Sequence, residues 1–238
     1  MRTSLSGLLA ASTAAGARAA RARWHAALAV LVLLVGFGCA GRDHAGHHEH
    51  AFKDAERWAQ AFDDPARDAW QKPDDVIRTL ALASDALVAD VGSGTGYFAV
   101  RLARAVPQGH VYGVDVEPDM VRYLAERGRR EGLTNLTAVQ AAPDDARLPR
   151  PVDLVLVVNT YHHIADRPSY FAGLRRSLRP AGRVAIVDFR PDAPVGAPPP
   201  RARIPVAVVK DEMGRAGYGL VAEHTFLPYQ YFLIFDSR

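Results

Sequence analysis

Cysteine is nearly absent from this sequence, because Cys39 is the one residue of its type among 238. A single thiol excludes an internal disulfide and any zinc site built from several cysteines. Aromatic residues make up 8% of the chain, hydrophobic residues 49% and charged residues 23%. That balance is typical of a globular domain and not of a disordered chain.

Acidic residues are absent from residues 1–38, which carry four arginines. The rest of the chain therefore holds 25 basic and 26 acidic residues, so the net charge of +3 originates at the N-terminus. Nucleic-acid binding usually needs a basic face on the folded domain. No nucleic-acid substrate is therefore expected.

The apolar run at residues 26–38 has thirteen residues, fewer than the ~20 that a bilayer span needs. Arginines precede it and small residues follow it, as in a secretory signal. Its end, Gly36-Phe37-Gly38-Cys39-Ala40-Gly41, resembles the lipobox of bacterial lipoproteins, in which the cysteine is lipidated and becomes the first mature residue. Residues 1–40 are therefore predicted to be a lipoprotein-like signal. A retained signal anchor and an unprocessed or wrongly assigned start are the alternatives.

Residues 41–51 contain four histidines within seven positions. Such a tract can bind Zn²⁺, Cu²⁺ or Ni²⁺, but no scaffold fixes the ligand geometry here. We therefore interpret it as a solvated tether and predict no metal site. The expected localisation is membrane-associated through the N-terminus, with a cytoplasmic location as the alternative.

Strand and helix patterns alternate along residues 52–238, which are predicted to form one domain. Alternation of this kind implies a parallel sheet with helices on both faces. The last two strands, within residues 219–235, are joined too closely for a crossover and predict an antiparallel hairpin. The expected fold is α/β: a Rossmann-like three-layer sandwich with a mostly parallel seven-stranded sheet and an antiparallel C-terminal hairpin.

A glycine-rich loop lies between the first predicted strand and the helix that follows it, in Asp90-Val91-Gly92-Ser93-Gly94-Thr95-Gly96. Glycines let a ligand approach the backbone, and the helix N-terminus offers free N–H groups. Ligands of open α/β sheets bind at this edge. The dinucleotide fingerprint is not met, because Tyr97 occupies its third glycine position, and no P-loop Lys-Ser/Thr follows.

The spacing Asp90-x-Gly92-x-Gly94-x-Gly96 resembles the first motif of class I S-adenosylmethionine-dependent methyltransferases. Residues 111–120 look like the second motif of that family. Residues 178–188 look like its strand-five motif, with Ala181 in place of one glycine. The resemblance implies S-adenosyl-L-methionine as the cofactor and methyl transfer as the activity.

The resemblance also implies roles for individual residues. Asp90 would lie near the methionine amino group, and Gly92, Ser93, Gly94 and Gly96 would pass along the methionine and adenosine. Asp115 would hold the ribose hydroxyls, although it could instead cap the helix after it. Val116 would pack on adenine.

The acid that often contacts the adenine amine in this family is displaced here. Residues 140–143, Gln-Ala-Ala-Pro, follow the third predicted strand, and acids appear only at Asp144 and Asp145. Asp144 is assigned the adenine contact, with Asp145 as the alternative.

The segment Asn159-Thr160-Tyr161-His162-His163-Ile164 follows the fourth predicted strand and should lie beside the reacting methyl group. Asn159 is predicted to hold the cofactor carboxylate or amine. His162 and His163 are candidate general bases, because imidazole titrates near neutral pH. The alternative is that both only shape the pocket.

Aromatic residues before the sheet, Trp58, Phe62 and Trp70, either line an acceptor pocket or simply pack on the sheet. The proline-rich stretch 191–200 could form a lid at the same edge.

The predicted function is methyl transfer from S-adenosyl-L-methionine to a small-molecule methyl acceptor. A membrane-tethered cofactor-binding module without turnover is the main alternative. An NAD-dependent oxidoreductase is disfavoured by Tyr97.

Overall fold

Seven strands form one sheet in the computed structural model, which describes residues 52–194 and 198–237. In chain order they are β1 (Leu87–Val91), β2 (His110–Asp115), β3 (Leu136–Gln140), β4 (Val152–Val158), β5 (Leu178–Phe189), β6 (Tyr218–His224) and β7 (Gln230–Ser237). Their spatial order is β3-β2-β1-β4-β5-β7-β6. Strand β7 runs antiparallel to β5 and β6, and the other neighbours are parallel. The predicted fold class is confirmed.

Seven α-helices lie in the described part of the chain. They are α1 (Ala55–Phe62), α2 (Asp68–Gln71), α3 (Pro73–Leu80), α4 (Ala99–Ala105), α5 (Pro118–Arg130), α6 (Arg167–Leu174) and α7 (Val206–Arg215). Short 3₁₀ turns occur at Pro65–Arg67, Tyr161–His163, Arg175–Ser177 and Pro200–Ala202. Proline is the first residue of α3 and α5, where its missing N–H costs no hydrogen bond.

Hydrophobic cores lie on both faces of the sheet because alternate strand residues point to opposite sides. On β4, Val155 and Val157 belong to one core, and Leu154 and Leu156 belong to the other. All five residues of β1 are buried, as expected of a central strand covered on both faces. Burying each of its leucine and valine side chains contributes about 1.5–3 kcal/mol.

The carboxyl ends of the parallel strands position the candidate site. Strand β1 pairs with β2 on one side and with β4 on the other, so the order of the strands reverses at β1. Such a switch point opens the crevice in which α/β sheets bind ligands. The loops after β1, β2 and β4 meet at this edge.

The predicted signal segment (residues 1–40) and the histidine-rich tether (residues 41–51) lie outside the described residues. Within the described ranges, every helix falls short of the length and apolar character that crossing a bilayer requires. The proline-rich stretch is described on both sides of residues 195–197. There Arg203 donates hydrogen bonds to the carbonyl oxygens of Ala193 (2.6 Å) and Pro198 (2.6 Å).

Candidate active site

The glycine loop after β1 has a backbone that only glycine accommodates easily. Gly92 and Gly96 have φ angles of +73° and +95°, which L-residues with side chains rarely adopt. A Cβ on Gly92 would lie 2.1 Å from Oγ1 of Thr160, and one on Gly96 would lie 2.4 Å from Cδ1 of Leu124. The loop is therefore packed tightly against the end of β4 and against α5.

Asp115, the last residue of β2, anchors this loop. Its Oδ2 accepts a hydrogen bond from the Gly94 N–H (2.8 Å), and its Oδ1 accepts one from the Glu117 N–H (3.0 Å). The side chain is 9% exposed, and burial raises the pKa of the Asp115 carboxyl. Each carboxylate oxygen has a further lone pair, so the group can also accept two ribose hydroxyls.

Asp90, on β1, is buried with its carboxyl close to that of Asp115. Burial and the negative charge of Asp115 raise the pKa of Asp90 to about 7, although the Ala99 N–H and the Arg67 guanidinium favour the charged form. A cationic amino group beside Asp90 would stabilise its carboxylate.

Two hydroxyls in the same loop lack partners. Ser93 Oγ and Thr95 Oγ1 are buried and have no hydrogen-bond partner within the described residues. Buried polar atoms are rarely left in this state. Together with the glycine cradle they fit a ligand that carries several polar groups, as the methionine and ribose of S-adenosylmethionine do.

The surface beyond Asp115 is apolar. Val116 is 46% exposed, and the Gln140 side chain donates a hydrogen bond to its carbonyl oxygen (2.7 Å). Asp144 is exposed in the turn closed by the bridge between Ala142 and Asp145. Asp145 is already engaged by Arg176 (3.0 Å), so Asp144 remains the predicted contact for adenine.

Helix α1 covers the glycine loop. The ring of Phe62 lies 3.4 Å from the position that a Cβ on Gly94 would take. Phe62 stacks on Trp58, with ring centroids 5.3 Å apart. Arg127 of α5 holds the end of the helix through Asp63 (2.8 Å). Trp58 and Phe62 thus pack over the glycine loop.

Arg67 was not predicted from the sequence, and no local motif points to it. Its guanidinium lies 4.1 Å from the centroid of the Tyr97 ring and donates hydrogen bonds to Gln71 Oε1 (3.0 Å) and to the Phe62 carbonyl oxygen (2.6 Å). It forms no ion pair within the described residues, and desolvation lowers its pKa. Arg67 and Asp90 are near enough to interact, so together they offer opposite charges to a zwitterion.

Asn159 begins the loop after β4 in a left-handed conformation (φ +54°). Its side chain joins a closed cycle of three carboxamides, defined here as Gln71, Gln230 and Asn159. Gln71 donates to Gln230 (2.7 Å), Gln230 donates to Asn159, and Asn159 donates to Gln71 (3.3 Å). The cycle uses one N–H and the oxygen of Asn159, and leaves one N–H for its predicted role toward the cofactor.

The two candidate bases are in different environments. His162 Nδ1 lies 2.9 Å from Oδ2 of Asp188, and the two side chains are 5% and 3% exposed. The carboxylate is fixed by the N–H groups of His162 (3.2 Å) and Phe189 (2.7 Å). A carboxylate at Nδ1 favours the tautomer whose Nε2 is the basic atom.

His163, by contrast, is exposed and stacks on His162, with ring centroids 4.1 Å apart. Phe52 packs edge-on against it at 5.7 Å. The geometry therefore favours His162 as the base. Asp188 is the last residue of the strand-five motif (residues 178–188), and nothing in that motif predicts its pairing with His162.

Residues 88–182 match the model of a methyltransferase domain. The match begins in β1 and ends in β5, so it contains the glycine loop, Asp115 and His162. Arg67, Asp188 and Gln230 lie outside it.

Two curated relatives illustrate what the chain resembles. A demethylmenaquinone methyltransferase of Deinococcus radiodurans is 32% identical over 109 residues, which cover 44% of this chain and 44% of the relative. An arsenite methyltransferase of Halobacterium salinarum is 35% identical over 118 residues, which cover 48% of this chain and 30% of the relative. The chain thus spans less than half the length of these methyltransferases.

Solved structures agree on the fold. A SAM-dependent methyltransferase from Aquifex aeolicus superposes with a TM-score of 0.72 at 25% identity, over 78% of this chain and 99% of that one. Magnesium protoporphyrin IX methyltransferase from Synechocystis, solved with bound SAM, gives 0.55 at 17% identity over 83% and 87% of the two chains. The matched methyltransferase domain, this fold and the glycine loop support S-adenosyl-L-methionine as the cofactor.

Proposed function

We propose that the protein transfers a methyl group from S-adenosyl-L-methionine to a small-molecule acceptor whose nucleophilic atom carries a proton at neutral pH. The observation that carries methyl transfer is the glycine loop anchored on Asp115 at the switch point of the sheet. The His162–Asp188 pair beside it supports a protonated acceptor, such as a hydroxyl group or an enolic carbon.

Besides the glycine loop and Asn159, five residues would hold the cofactor. Asp115 accepts the ribose hydroxyls, and Val116 offers apolar surface to adenine, with Asp144 at its edge. Asp90 would accept the amino group, and the half-buried Arg67 guanidinium would receive the carboxylate, which would give this cation an anionic partner. When bound, the cofactor supplies a methyl group already activated on a sulfonium.

The protein then contributes orientation and proton transfer. Methyl transfer would join the acceptor atom to the methyl carbon, and the electron pair of the sulfur–methyl bond would stay on sulfur. The acceptor proton moves to Nε2 of His162, and Asp188 stabilises the imidazolium. Alignment supplies much of the rate enhancement, and a positioned base adds about 10²–10⁴-fold.

Donor binding is tested by calorimetry with S-adenosylhomocysteine. We expect the wild-type protein to bind it and Asp115→Asn to weaken binding by about 10–100-fold, since hydrogen bonds to a charged group contribute about 1.5–3 kcal/mol each. Asp144→Asn should have a smaller effect. Asp85→Asn is the matched control, because Asp85 is exposed before β1 at the opposite edge. Binding of NAD and not of S-adenosylhomocysteine would contradict the proposal.

Catalysis is tested by a methyl-transfer screen on small-molecule extracts, read by mass spectrometry. With an acceptor in hand, His162→Gln should lower kcat by at least about 10²-fold. Binding of S-adenosylhomocysteine should be unchanged, and His163→Gln should have a much smaller effect. Equal losses in both variants would exclude His162 as the specific base, and donor binding without any transfer would favour a binding module.

A further inference from the structure

We propose that Trp70, Phe189 and Tyr229 form the wall against which the methyl acceptor binds, and that the acceptor therefore presents a flat aromatic ring. We call these three residues the aromatic wall. The inference rests on the proposed function, because it assigns the substrate class of the same site.

The three rings come from α2, the end of β5 and the residue before β7. Trp70 lies 5.7 Å from Phe189 and 6.3 Å from Tyr229, measured between ring centroids. None of them belongs to either hydrophobic core. Tyr229 is 37% exposed, and the other two are half-buried. Grouped rings that stay accessible offer a stacking surface for another aromatic ring.

The aromatic wall lies at the same edge of the sheet as the candidate base. Phe189 directly follows Asp188, and its N–H donates a hydrogen bond to the Asp188 carboxylate (2.7 Å) that also holds His162. Both Phe189 and Asp188 lie at the carboxyl end of β5, so the wall and the candidate base share the edge at which α/β sheets bind ligands.

The carboxamide cycle links the wall to the glycine loop. Gln71 follows Trp70 in the chain, and Gln230 follows Tyr229. The third member, Asn159, precedes Thr160, whose side chain packs against Gly92. Gln71 and Gln230 are fully buried, so each needs its partners in the cycle. The cycle thereby fixes two of the three rings relative to the donor.

Tyr229 is further supported by Arg190. The guanidinium donates hydrogen bonds to the carbonyl oxygens of Leu227 (3.1 Å) and Gln230 (3.3 Å), which flank Tyr229. A second guanidinium, that of Arg67, lies 6.0 Å from the centroid of the Trp70 ring. Both guanidinium groups donate hydrogen bonds to neutral amide or carbonyl oxygens. This lining suits an aromatic compound with a hydroxyl group.

The test uses the full chain saturated with S-adenosylhomocysteine and the probe 2-naphthol, with ligand-observed NMR as the readout. Decahydro-2-naphthol, which is saturated, is the matched control ligand. We expect 2-naphthol to bind at least tenfold more tightly than the saturated compound. Equal binding of the two compounds would overturn the aromatic specificity.

Variants then place the probe. Trp70→Leu and Tyr229→Leu should each weaken 2-naphthol binding about tenfold. The Kd of each variant for S-adenosylhomocysteine should equal that of the wild type. Tyr123→Leu, on α5, is the matched control and should change neither constant by more than about twofold. Unchanged naphthol binding in both wall variants would refute the site. Failure of the wild-type protein to bind S-adenosylhomocysteine would refute the proposed function itself.

The cycle has its own test. Gln230→Leu should weaken 2-naphthol binding about tenfold and keep the Kd for S-adenosylhomocysteine within about threefold of wild type. The reason is that the cycle orients the wall more directly than it orients the glycine loop. If Gln230→Leu changes only the unfolding temperature, the cycle has a structural role and does not position the wall.

Discussion

At the scale of single residues, the donor site is built around two buried carboxylates whose negative charges repel each other. Asp90 and Asp115 both have a raised pKa, and the pKa of Asp90 reaches about 7. The protein keeps a group at Asp90 that is unfavourable when ionised without a partner. A cofactor amino group would remove that penalty, which connects donor binding to the ionisation of Asp90.

The raised pKa predicts a pH-dependent gain in stability from Asp90→Asn. The folded-state pKa, about 7, exceeds the ordinary aspartate value of 3.8, so the stability contributed by Asp90 is greatest below pH 3.8 and is lost as the pH rises through 7. The substitution should therefore raise the free energy of unfolding of the ligand-free protein more at pH 8 than at pH 5, by about 2–3 kcal/mol.

Urea denaturation at the two pH values measures this difference, and calorimetry should show that the same variant binds S-adenosylhomocysteine weakly. Asp85→Asn serves as the exposed control and should show no such difference. A variant that is destabilised equally at both pH values would contradict the assignment.

The sequence was informative about residues that act through local pattern, and less so about those that act through tertiary contact. The glycine spacing and the acid at the end of β2 indicated the loop and Asp115, and both are where the motif implies. Arg67 meets Asp90 only because the segment before α2 folds back over the loop. Asp188 meets His162 through the register of β4 and β5, which no local pattern specifies.

At the scale of elements, two kinds of ion pair join helices to the site. Arg122 of α5 pairs with Glu56 of α1 (3.0 Å), and both side chains are about half exposed, at 46% and 56%. Glu212 of α7 instead pairs with Arg167 of α6 (2.7 Å) and accepts a hydrogen bond from the buried Tyr161 hydroxyl (2.7 Å). Arg167 also donates to the Ile164 carbonyl oxygen (3.2 Å), so this pair secures the turn that carries His162.

The difference in burial predicts different costs. Glu212→Leu leaves Arg167 without its counter-charge in a largely buried position and should lower the free energy of unfolding by about 3–5 kcal/mol. Arg122→Ala should lower it by less than about 1 kcal/mol, because water screens the exposed pair. Both values come from urea denaturation at pH 7. Similar losses for the two variants would show that burial does not distinguish the pairs.

Strand β5 shows where element boundaries escape the sequence. The pattern Pro180-Ala181-Gly182 favours a turn and so predicts a strand that starts at Arg183, but the strand begins at Leu178. Leu178 pairs with Val152, and the register then shifts before Leu154 pairs with Arg183. Ala181 takes a left-handed conformation (φ +63°) within this irregularity. The turn residues are real, but they form a bulge within a strand and not a break before it.

At the scale of the whole molecule, residues 52–194 and 198–237 belong to one unit by their internal contacts. This unit contains both cores, the glycine loop and every residue assigned a role in donor or acceptor binding. Its own burial is therefore sufficient reason to expect it to fold without the preceding residues.

Truncation and fractionation test this division together with the proposed membrane attachment. A chain beginning at His48 should keep its Tm within about 2 °C of the full chain and bind S-adenosylhomocysteine with the same Kd. The full chain should fractionate with membranes through the apolar run at residues 26–38. Cys39→Ala should release it if a lipid on that cysteine is the anchor, and should leave it attached if the run is a retained signal anchor. Recovery of the intact full chain in the soluble cytosolic fraction would refute membrane attachment while leaving the donor site unaffected.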